Sequence, residues 1–191
     1  MLTGAILAGG QSRRFGSNKA LVMVDGVRLI DRVIDSIAMV CEPILLIAND
    51  LKPYYDVRAA LVKDIIPHQG PLGAIYTALL FSPHEWVFVK ATDMPYINLD
   101  IIRKMHTLAA GWDGVAPVLN GRFEPLFALY SRRCLPAIAD ILQGEERKVT
   151  AFYRKVKICA FEEDQWRAID REGRSFLNIN TVEDWEKLPW S

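Results

Sequence analysis

The sequence has few cysteines and no excess of charge of either sign. Its cysteines, Cys41, Cys134 and Cys159, are odd in number and far apart, and they form neither a Cys-x-x-Cys pair nor a cluster with zinc spacing. A disulfide framework is therefore excluded, and a reduced, cytoplasmic protein is the simplest interpretation. The 23 basic residues balance 23 acidic ones. Because this gives no long-range field for a polyanion, we expect neither a nucleic-acid nor a membrane partner.

Long apolar runs and linkers are also missing. No run approaches the ~18 residues needed to cross a bilayer. The amino-terminal stretch lacks a basic flank and its apolar residues stop at Gly9 and Gly10, so we do not expect secretion. Apolar residues nevertheless make up 51% of the chain, which is enough for a sizeable core. With no repeat and no linker, residues 1–191 are predicted to form a single domain.

Short apolar runs alternate with segments of helical period. Five runs have strand length and end near Gly, Pro, Asn or Asp, at residues 4–7, 44–48, 62–66, 86–91 and 114–118. Between them, apolar residues recur every three or four positions at 29–37, 72–79 and 101–108. This alternation predicts a three-layer α/β/α, Rossmann-like fold with a mostly parallel sheet. Ligands are then expected in the crevice beyond the carboxyl ends of the strands.

The second half of the chain is less regular. Residues 122–130 alternate like a half-buried strand, so we expect a mixed edge to the sheet. Residues 132–142 and 147–153 are predicted to be helical, and Thr181 is predicted to begin a further helix as its N-cap.

A glycine-rich segment directly follows the first predicted strand. Its adjacent glycines allow backbone N–H groups to approach an anion, while Ser12 adds a hydroxyl and Arg14 and Lys19 add positive charge. It lacks the Gly-Lys-Ser/Thr of the P-loop and the Gly-x-Gly-x-x-Gly of dinucleotide sites. Composition alone is equally compatible with a tight surface turn, but the location after a buried strand favours a phosphate-binding loop. The segment reads Leu7-Ala8-Gly9-Gly10-Gln11-Ser12-Arg13-Arg14-Phe15-Gly16-Ser17-Asn18-Lys19.

Acidic residues follow two other predicted strands. Asp93 comes after the run 86–91, where a carboxylate projects into the ligand crevice. Since Mg²⁺ is commonly held by one or two carboxylates and substrate phosphates, Asp93 is our predicted metal ligand. A turn residue before Pro95 is the competing interpretation, and Asp64 shares this ambiguity. The stretch 70–73 predicts a helix start that either binds an anion or is purely structural.

At this point the sequence resembles a known family. The pattern Leu-Ala-Gly-Gly-x-Ser-x-Arg-Phe-Gly-x-x-Lys is similar to the signature of the molybdenum cofactor guanylyltransferases, members of the nucleotidyltransferase superfamily with the nucleotide-diphospho-sugar transferase fold. Four further matches follow in the same order and extend the resemblance over nearly the whole chain: Asn49, Asp64 before Gly70-Pro71-Leu72-Gly73, Asp93-Met94-Pro95-Tyr96-Ile97, and Asn178-Ile179-Asn180-Thr181.

The resemblance implies an activity and a set of roles. The enzyme would transfer GMP from GTP to the terminal phosphate of molybdenum-molybdopterin, releasing pyrophosphate, with Mg²⁺ on Asp93. Molybdenum-insertion proteins and molybdoenzyme chaperones are the implied protein partners. The catalytic residues would be Arg14, Lys19 and Asp93. The GTP-binding residues would be Leu7, Ala8, Gly9, Gly10, Ser12, Lys19, Asn49, Asp64 and Asp93. The acceptor-binding residues would be Gly70, Pro71, Leu72, Arg122, Arg147, Asn178 and Asn180.

Two alternatives remain open. A related nucleotidyltransferase could use CTP or another phosphate acceptor. Gly9 argues against CTP, because similar CTP enzymes often have alanine there and a missing methyl leaves room for a purine. The second alternative is a non-catalytic GTP-binding scaffold for cofactor delivery, which would not need Arg14, Lys19 and Asp93 together.

Overall fold

The sheet and its flanking helices form from the segments with strand and helix periodicity. The structure, a computed structural model, describes residues 1–8, 18–24 and 26–178, without the side chains of Lys19 and Val24. The strands are β1 Leu2–Leu7, β2 Met23–Val24, β3 Val27–Arg28, β4 Ile44–Ala48, β5 Ala60–Lys63, β6 Trp86–Ala91, β7 Gly114–Leu119, β8 Arg122–Phe123, β9 Phe127–Ser131 and β10 Ile158–Phe161. The α-helices are α1 Leu29–Ala38, α2 Gly70–Phe81, α3 Leu99–Leu108, α4 Leu135–Gln143 and α5 Glu163–Arg167. Short 3-10 helices lie at Lys19–Leu21, Lys52–Tyr54, Arg132–Cys134, Val149–Lys155 and Arg174–Phe176.

The main sheet is mostly parallel, and its strands β8 and β9 are reversed. Its order is β10-β7-β9-β6-β1-β4-β5, and the short strand β8 pairs with the last residues of β7. Strand β1 runs parallel to both β4 and β6, whereas β9 is antiparallel to β6 and β7. The reversal is made by the turn at Asn120 and Gly121, which joins β7 to β8 as a hairpin and is too short for a crossover helix. The predicted α/β fold with a mixed edge is confirmed.

The strands β1, β4 and β6 are buried on both faces, which explains their uninterrupted apolar sequences. In β1, Ile6 faces the layer that contains α1 and α3, while Ala5 and Leu7 face α2 and α4. Helix α1 buries a stripe at three- and four-residue spacing. It approaches the sheet closely at Gly4, where an added Cβ would lie 2.7 Å from an Ile37 methyl. The three predicted layers are therefore present.

Several local predictions differ from the structure. The alternating run 122–130 is split into β8 and β9, because Pro125 cannot donate to a ladder between them. Ile65 and Ile66 lie beyond β5, in the turn that leads into α2. Residues 147–153 were predicted as a helix and lie largely in the 3-10 helix Val149–Lys155. Strand β10 and helix α5 were not predicted. The helix predicted from Thr181 lies outside the described residues. No helix in the described part of the chain is long and apolar enough to span a membrane.

Candidate active site

The predicted site residues converge on one edge of the sheet. Leu7 pairs with Ile47 of β4 and with Ala91 of β6, so these three strands end side by side. Beyond them, the Ala8 N–H donates to the Ile47 carbonyl at 2.9 Å, and the Asp64 N–H donates to the Ala48 carbonyl at 3.0 Å. The segments that hold Ala8, Asn49, Asp64 and Asp93 therefore leave the sheet at the same edge, as the strand order requires.

The two ends of the glycine-rich segment are joined by one tyrosine. Tyr54 is 1% exposed, and its hydroxyl accepts a hydrogen bond from Asn18 Nδ2 at 2.8 Å and donates to the Ala8 carbonyl at 3.4 Å. This pair of bonds fixes where the segment leaves the sheet and where it returns. No sequence pattern pointed to Tyr54, because its partner atoms are 36 and 46 positions away. Between the two ends, the predicted ligand residues Gly9, Gly10, Ser12 and Arg14 lie outside the described residues, as does the Lys19 side chain.

The carboxylate of Asp64 is hydrogen-bonded to a side chain of helix α2. The residue is 6% exposed, and its Oδ1 accepts hydrogen bonds from Thr77 Oγ1 at 2.8 Å and from the Ile66 N–H at 3.1 Å. The other oxygen, Oδ2, faces Gly73, where an added Cβ would lie 3.5 Å away. The turn-stabilising role of Asp64 is thus present in the structure. Its contact with guanosine stays a prediction, as does that of Asn49, which is exposed.

One carboxylate oxygen of Asp93 receives no hydrogen bond. Its Oδ1 is buried and has no hydrogen-bond partner in the structure. Such an atom is costly unless a donor or a cation reaches it. Within residues 1–8, 18–24 and 26–178 there is no group of three or more His, Cys, Asp or Glu side chains that could cage a metal. A single carboxylate completed by substrate phosphates is the arrangement that Mg²⁺ commonly adopts, so Asp93 fits this ion.

A buried lysine, not predicted as a site residue, stands in β6 three positions before Asp93. Lys90 is 0% exposed, its Nζ donates to the Tyr96 carbonyl at 3.3 Å, and it stands 4.8 Å from the centre of the Phe127 ring. Burial lowers the pKa of Lys90 to about 7, against the attraction of Asp93 and Glu124. The sequence contained a signal, because a lone lysine interrupts an otherwise apolar strand and buried lysines are rare.

Glu124 completes this group of charges from the reversed part of the sheet. Its Oε1 accepts from the Leu126 N–H at 3.0 Å, and the Leu126 carbonyl accepts from the Ala91 N–H at 2.9 Å. Burial raises the pKa of Glu124, and the nearby Asp93 raises it further while Lys90 lowers it. The turn that holds Glu124 is therefore attached to the end of β6, two residues before Asp93.

The buried Tyr130 and the half-buried Tyr153 support the same turn. Tyr130 donates to the Pro125 carbonyl at 2.9 Å, and its oxygen lies 2.5 Å from the Tyr153 hydroxyl. Since the Tyr130 hydroxyl donates its one proton to the Pro125 carbonyl, Tyr153 is the donor in the hydrogen bond between the two tyrosines. The ring of Phe123 packs edge to face on Tyr153 at 5.1 Å. Phe123 and Pro125 are thus contacted by side chains of β9 and of the 3-10 helix Val149–Lys155.

Part of the predicted acceptor set lines an open cavity of about 720 Å³. Arg122 and Lys148 give it positive charge, and the rest of its lining is Gly121, Phe123, Pro125, Val149 and Thr150. Arg147 is not part of this lining; it is exposed and its Nη1 donates to the Gly144 and Glu146 carbonyls at 2.6 and 3.2 Å. Of the adjacent pair Arg147 and Lys148, it is thus Lys148 that lines the cavity.

The other predicted acceptor residues lie at two places. Gly70 and Pro71 begin α2 at the edge shared with Asp64, whereas the Leu72 side chain is 0% exposed and leaves only its backbone for a ligand. Asn178 is exposed and follows the 3-10 helix Arg174–Phe176. That helix is tied to the start of α3 by a 3.0 Å bond from the Asn98 N–H to Ser175 Oγ. Asn180 lies outside the described residues.

Known proteins are similar to this chain in sequence and in fold. Residues 4–158 match the family of MobA-like NTP transferase domains. The chain is 39% identical to the molybdenum cofactor guanylyltransferase of Desulfosudis oleivorans, over 97% of this chain and 93% of that protein. It is 32% identical to a probable molybdenum cofactor guanylyltransferase of Natranaerobius thermophilus, over 97% and 94% of the two chains. Among solved structures, the molybdopterin-guanine dinucleotide biosynthesis protein A of Archaeoglobus fulgidus is similar, with a TM-score of 0.84 and 25% identity, over 97% of this chain and 95% of that one.

Proposed function

We infer that this protein is a molybdenum cofactor guanylyltransferase, because its chain belongs to the family of MobA-like NTP transferase domains. It transfers GMP from GTP to the terminal phosphate of molybdenum-molybdopterin, releases pyrophosphate and forms the guanine dinucleotide cofactor. The resemblance of the sequence to this family is thereby confirmed. The observation in the structure that supports the activity best is the buried, partnerless Oδ1 of Asp93 at the carboxyl edge of the sheet.

The residues at this edge bind different parts of the substrate. Asp93 would hold Mg²⁺, and the ion would supply positive charge to the phosphates of GTP. Arg14 and Lys19 hold the triphosphate, and the backbone of the glycine-rich segment with Ser12 surrounds it. Because the attacking phosphate of the acceptor is already ionised, no residue has to remove a proton. Catalysis then consists of positioning and charge neutralisation.

The nucleoside and the acceptor are placed on either side of the triphosphate. Leu7, Ala8 and Gly9 border the base and ribose, and Asn49 and Asp64 contact the guanosine. On the acceptor side, the positive cavity beside Arg122 and Lys148 takes an anionic group of the pterin substrate. The other acceptor contacts are assigned to the start of α2 at Gly70, Pro71 and Leu72, to Arg147, and to Asn178 and Asn180.

The cellular setting follows from the reaction. We assign the protein to the cytoplasm, as one domain spanning residues 1–191. Molybdenum-insertion proteins and molybdoenzyme chaperones are its expected partners, since one supplies the acceptor and the other receives the product. No nucleic acid or membrane is required.

The assignment of Asp93 is tested by substitution. Asp93→Asn keeps the size of the side chain and removes its charge, so formation of the guanine dinucleotide should no longer respond to Mg²⁺. The product is measured by chromatography over a range of Mg²⁺ concentrations. Asp100→Asn, on the exposed first turn of α3, is the matched control and should behave like the parent. A Mg²⁺ response of Asp93→Asn equal to that of the parent would place the metal elsewhere.

A further inference from the structure

Phe123 is an exposed aromatic side chain in the lining of the cavity that Arg122 and Lys148 make positive, and the reaction as described so far gives it no role. We propose that Phe123 is a specificity-determining residue for the acceptor: the flat heteroaromatic ring of the pterin packs against it, while the neighbouring basic side chains bind negative charge of the same molecule. This inference rests on the proposed function, because it takes the cavity as the acceptor site.

The cavity has the size and the lining of a site for a small molecule. Its volume of about 720 Å³ lies within the range of ligand pockets, roughly 300 to 1,000 Å³. Phe123, Pro125 and Val149 supply apolar surface, and none of the described residues in the lining is acidic. Single exposed apolar side chains are common on protein surfaces. Phe123 differs from these because it is exposed, at 36%, inside a concave and positively charged lining.

The backbone at Phe123 is held in place by a tight hairpin. Phe123 pairs with Val118 across β7 and β8, and the turn between these strands has φ angles of 50° at Asn120 and 73° at Gly121. Positive φ at both central residues is typical of the two-residue turns that fit the twist of a hairpin. The Asn120 N–H donates to Glu163 Oε2 at 3.2 Å, which ties the hairpin to α5. The position of Phe123 is therefore fixed from two sides.

The ring of Phe123 is supported by further aromatic side chains. It meets the Tyr153 ring edge to face, with the ring centres 5.1 Å apart and the planes at 77°. Tyr153 is hydrogen-bonded to Tyr130 at 2.5 Å and packs edge to face on Phe152 at 4.9 Å. A side chain that is already fixed in this way loses little conformational freedom when a ligand packs on it, so the entropic cost of binding is small.

The chemistry of the lining matches a ligand with both a flat ring and negative charge. Arg122 and Lys148 on their own would attract any phosphate. An aromatic side chain adds a preference for a planar ring, because stacking of a heteroaromatic ring on it strengthens binding by about tenfold or more. A pterin that carries a phosphate has both features. Since GTP is assigned to the glycine-rich segment, the pterin is the substrate that remains for this cavity.

The cavity borders the edge of the sheet at which Asp93 follows β6. Pro125 belongs to its lining, and the carbonyl of the next residue, Leu126, accepts from the Ala91 N–H at 2.9 Å. Ala91 precedes Asp93 by two residues, which span at most about 7 Å of chain. One acceptor molecule can therefore place its ring against Phe123 and extend its terminal phosphate towards Asp93.

Two probes separate recognition of the ring from recognition of charge. One is metal-free molybdopterin, which carries the phosphate, and the other is plain pterin, the bare ring without side chain or phosphate. Their dissociation constants are measured by equilibrium dialysis in the absence of GTP, so that turnover plays no part. Phe123→Leu keeps an apolar side chain and removes the aromatic ring, and it should weaken the binding of both probes by about tenfold. Phe123→Tyr keeps the ring and should stay close to the parent.

A charge variant and a matched aromatic variant serve as controls. Lys148→Gln should weaken the binding of molybdopterin by about tenfold and leave that of the uncharged plain pterin unchanged. Phe81→Leu makes the same aromatic replacement at an exposed position of α2 and should leave both dissociation constants unchanged. The affinity of Phe123→Leu for GTP, measured by titration calorimetry, should equal that of the parent.

The outcomes distinguish this inference from the proposed function. If Phe123→Leu binds both probes as the parent does, or if plain pterin does not bind a parent that binds molybdopterin, the ring does not pack on Phe123 and only this inference is wrong. A loss of GTP affinity in Phe123→Leu as large as its loss of pterin affinity would show a merely structural role. If the parent binds GTP and neither probe, the acceptor named in the proposed function is itself wrong.

Discussion

Replacing Lys90 with methionine should change how the stability of the protein depends on pH. The lysine is fully buried and its pKa falls from 10.5 to about 7, chiefly because burial disfavours the charged amine. At a pH between these two pKa values, Lys90 is protonated in the unfolded chain and neutral in the folded protein. The free energy of unfolding of the parent should therefore rise with pH across this interval, because the unfolded state binds more protons.

The size of the effect follows from the two pKa values. Linkage gives a gain of about 3 kcal/mol for the parent between pH 7 and about pH 9.5 from this one group. Methionine has a similar length and no proton to lose, and it can pack against Phe127. Lys90→Met should therefore exceed the parent in stability near pH 7, and this advantage should shrink by about 3 kcal/mol as the pH rises to about 9.5.

Urea denaturation of both proteins at several pH values between 7 and 9.5 measures this difference. Subtracting the two curves removes contributions from the other groups that titrate in the same range. Lys104→Met, on the exposed face of α3, serves as the control and should run parallel to the parent. A constant difference between Lys90→Met and the parent, or one that grows with pH, would refute the idea that a buried lysine releases its proton on folding.

Three further substitutions address the supports of the site. Thr77→Val leaves Oδ1 of Asp64 without its 2.8 Å donor and should lower the free energy of unfolding by about 1 to 3 kcal/mol in urea denaturation, with Thr77→Ser close to the parent. Tyr54→Phe removes the hydroxyl that joins the two ends of the glycine-rich segment, so KM for GTP should rise more than kcat falls; an unchanged KM would contradict this role. Tyr130→Phe removes the donor to the Pro125 carbonyl and should raise KM for the pterin substrate while KM for GTP stays the same, as steady-state kinetics with each substrate varied would show.

The layer order could be predicted from the sequence, because strands buried on both faces and amphipathic helices have different periods. The runs that became β1, β4 and β6 and the stripes of α1, α2 and α3 are examples. The reversal at β9 could not be derived in detail, since Pro125 interrupts an apparently continuous alternation. Helical spacing also does not separate three-residue from four-residue turns, which explains the 3-10 helix at Val149–Lys155.

The sequence predicts the position of those site residues that directly follow a strand. It does not predict contacts between side chains that are far apart in the chain. Asp64 and Asp93 lie at the edge of the sheet, as predicted, because each follows the end of a strand. The bond between Asp64 and Thr77 depends on how α2 packs back, and the charges of Lys90 and Glu124 meet only because β9 returns beside β6. Such contacts are set by tertiary packing and leave little trace in local sequence.

The most direct test of the proposed activity is pyrophosphate release with GTP, CTP and ATP in turn, each with Mg²⁺, in the presence and absence of molybdenum-loaded molybdopterin. We expect release only when GTP and the pterin are both present. Release with CTP in place of GTP would point to a cytidylyltransferase. Binding of GTP without release under any of these conditions would contradict the catalytic role and favour a scaffold that delivers the cofactor.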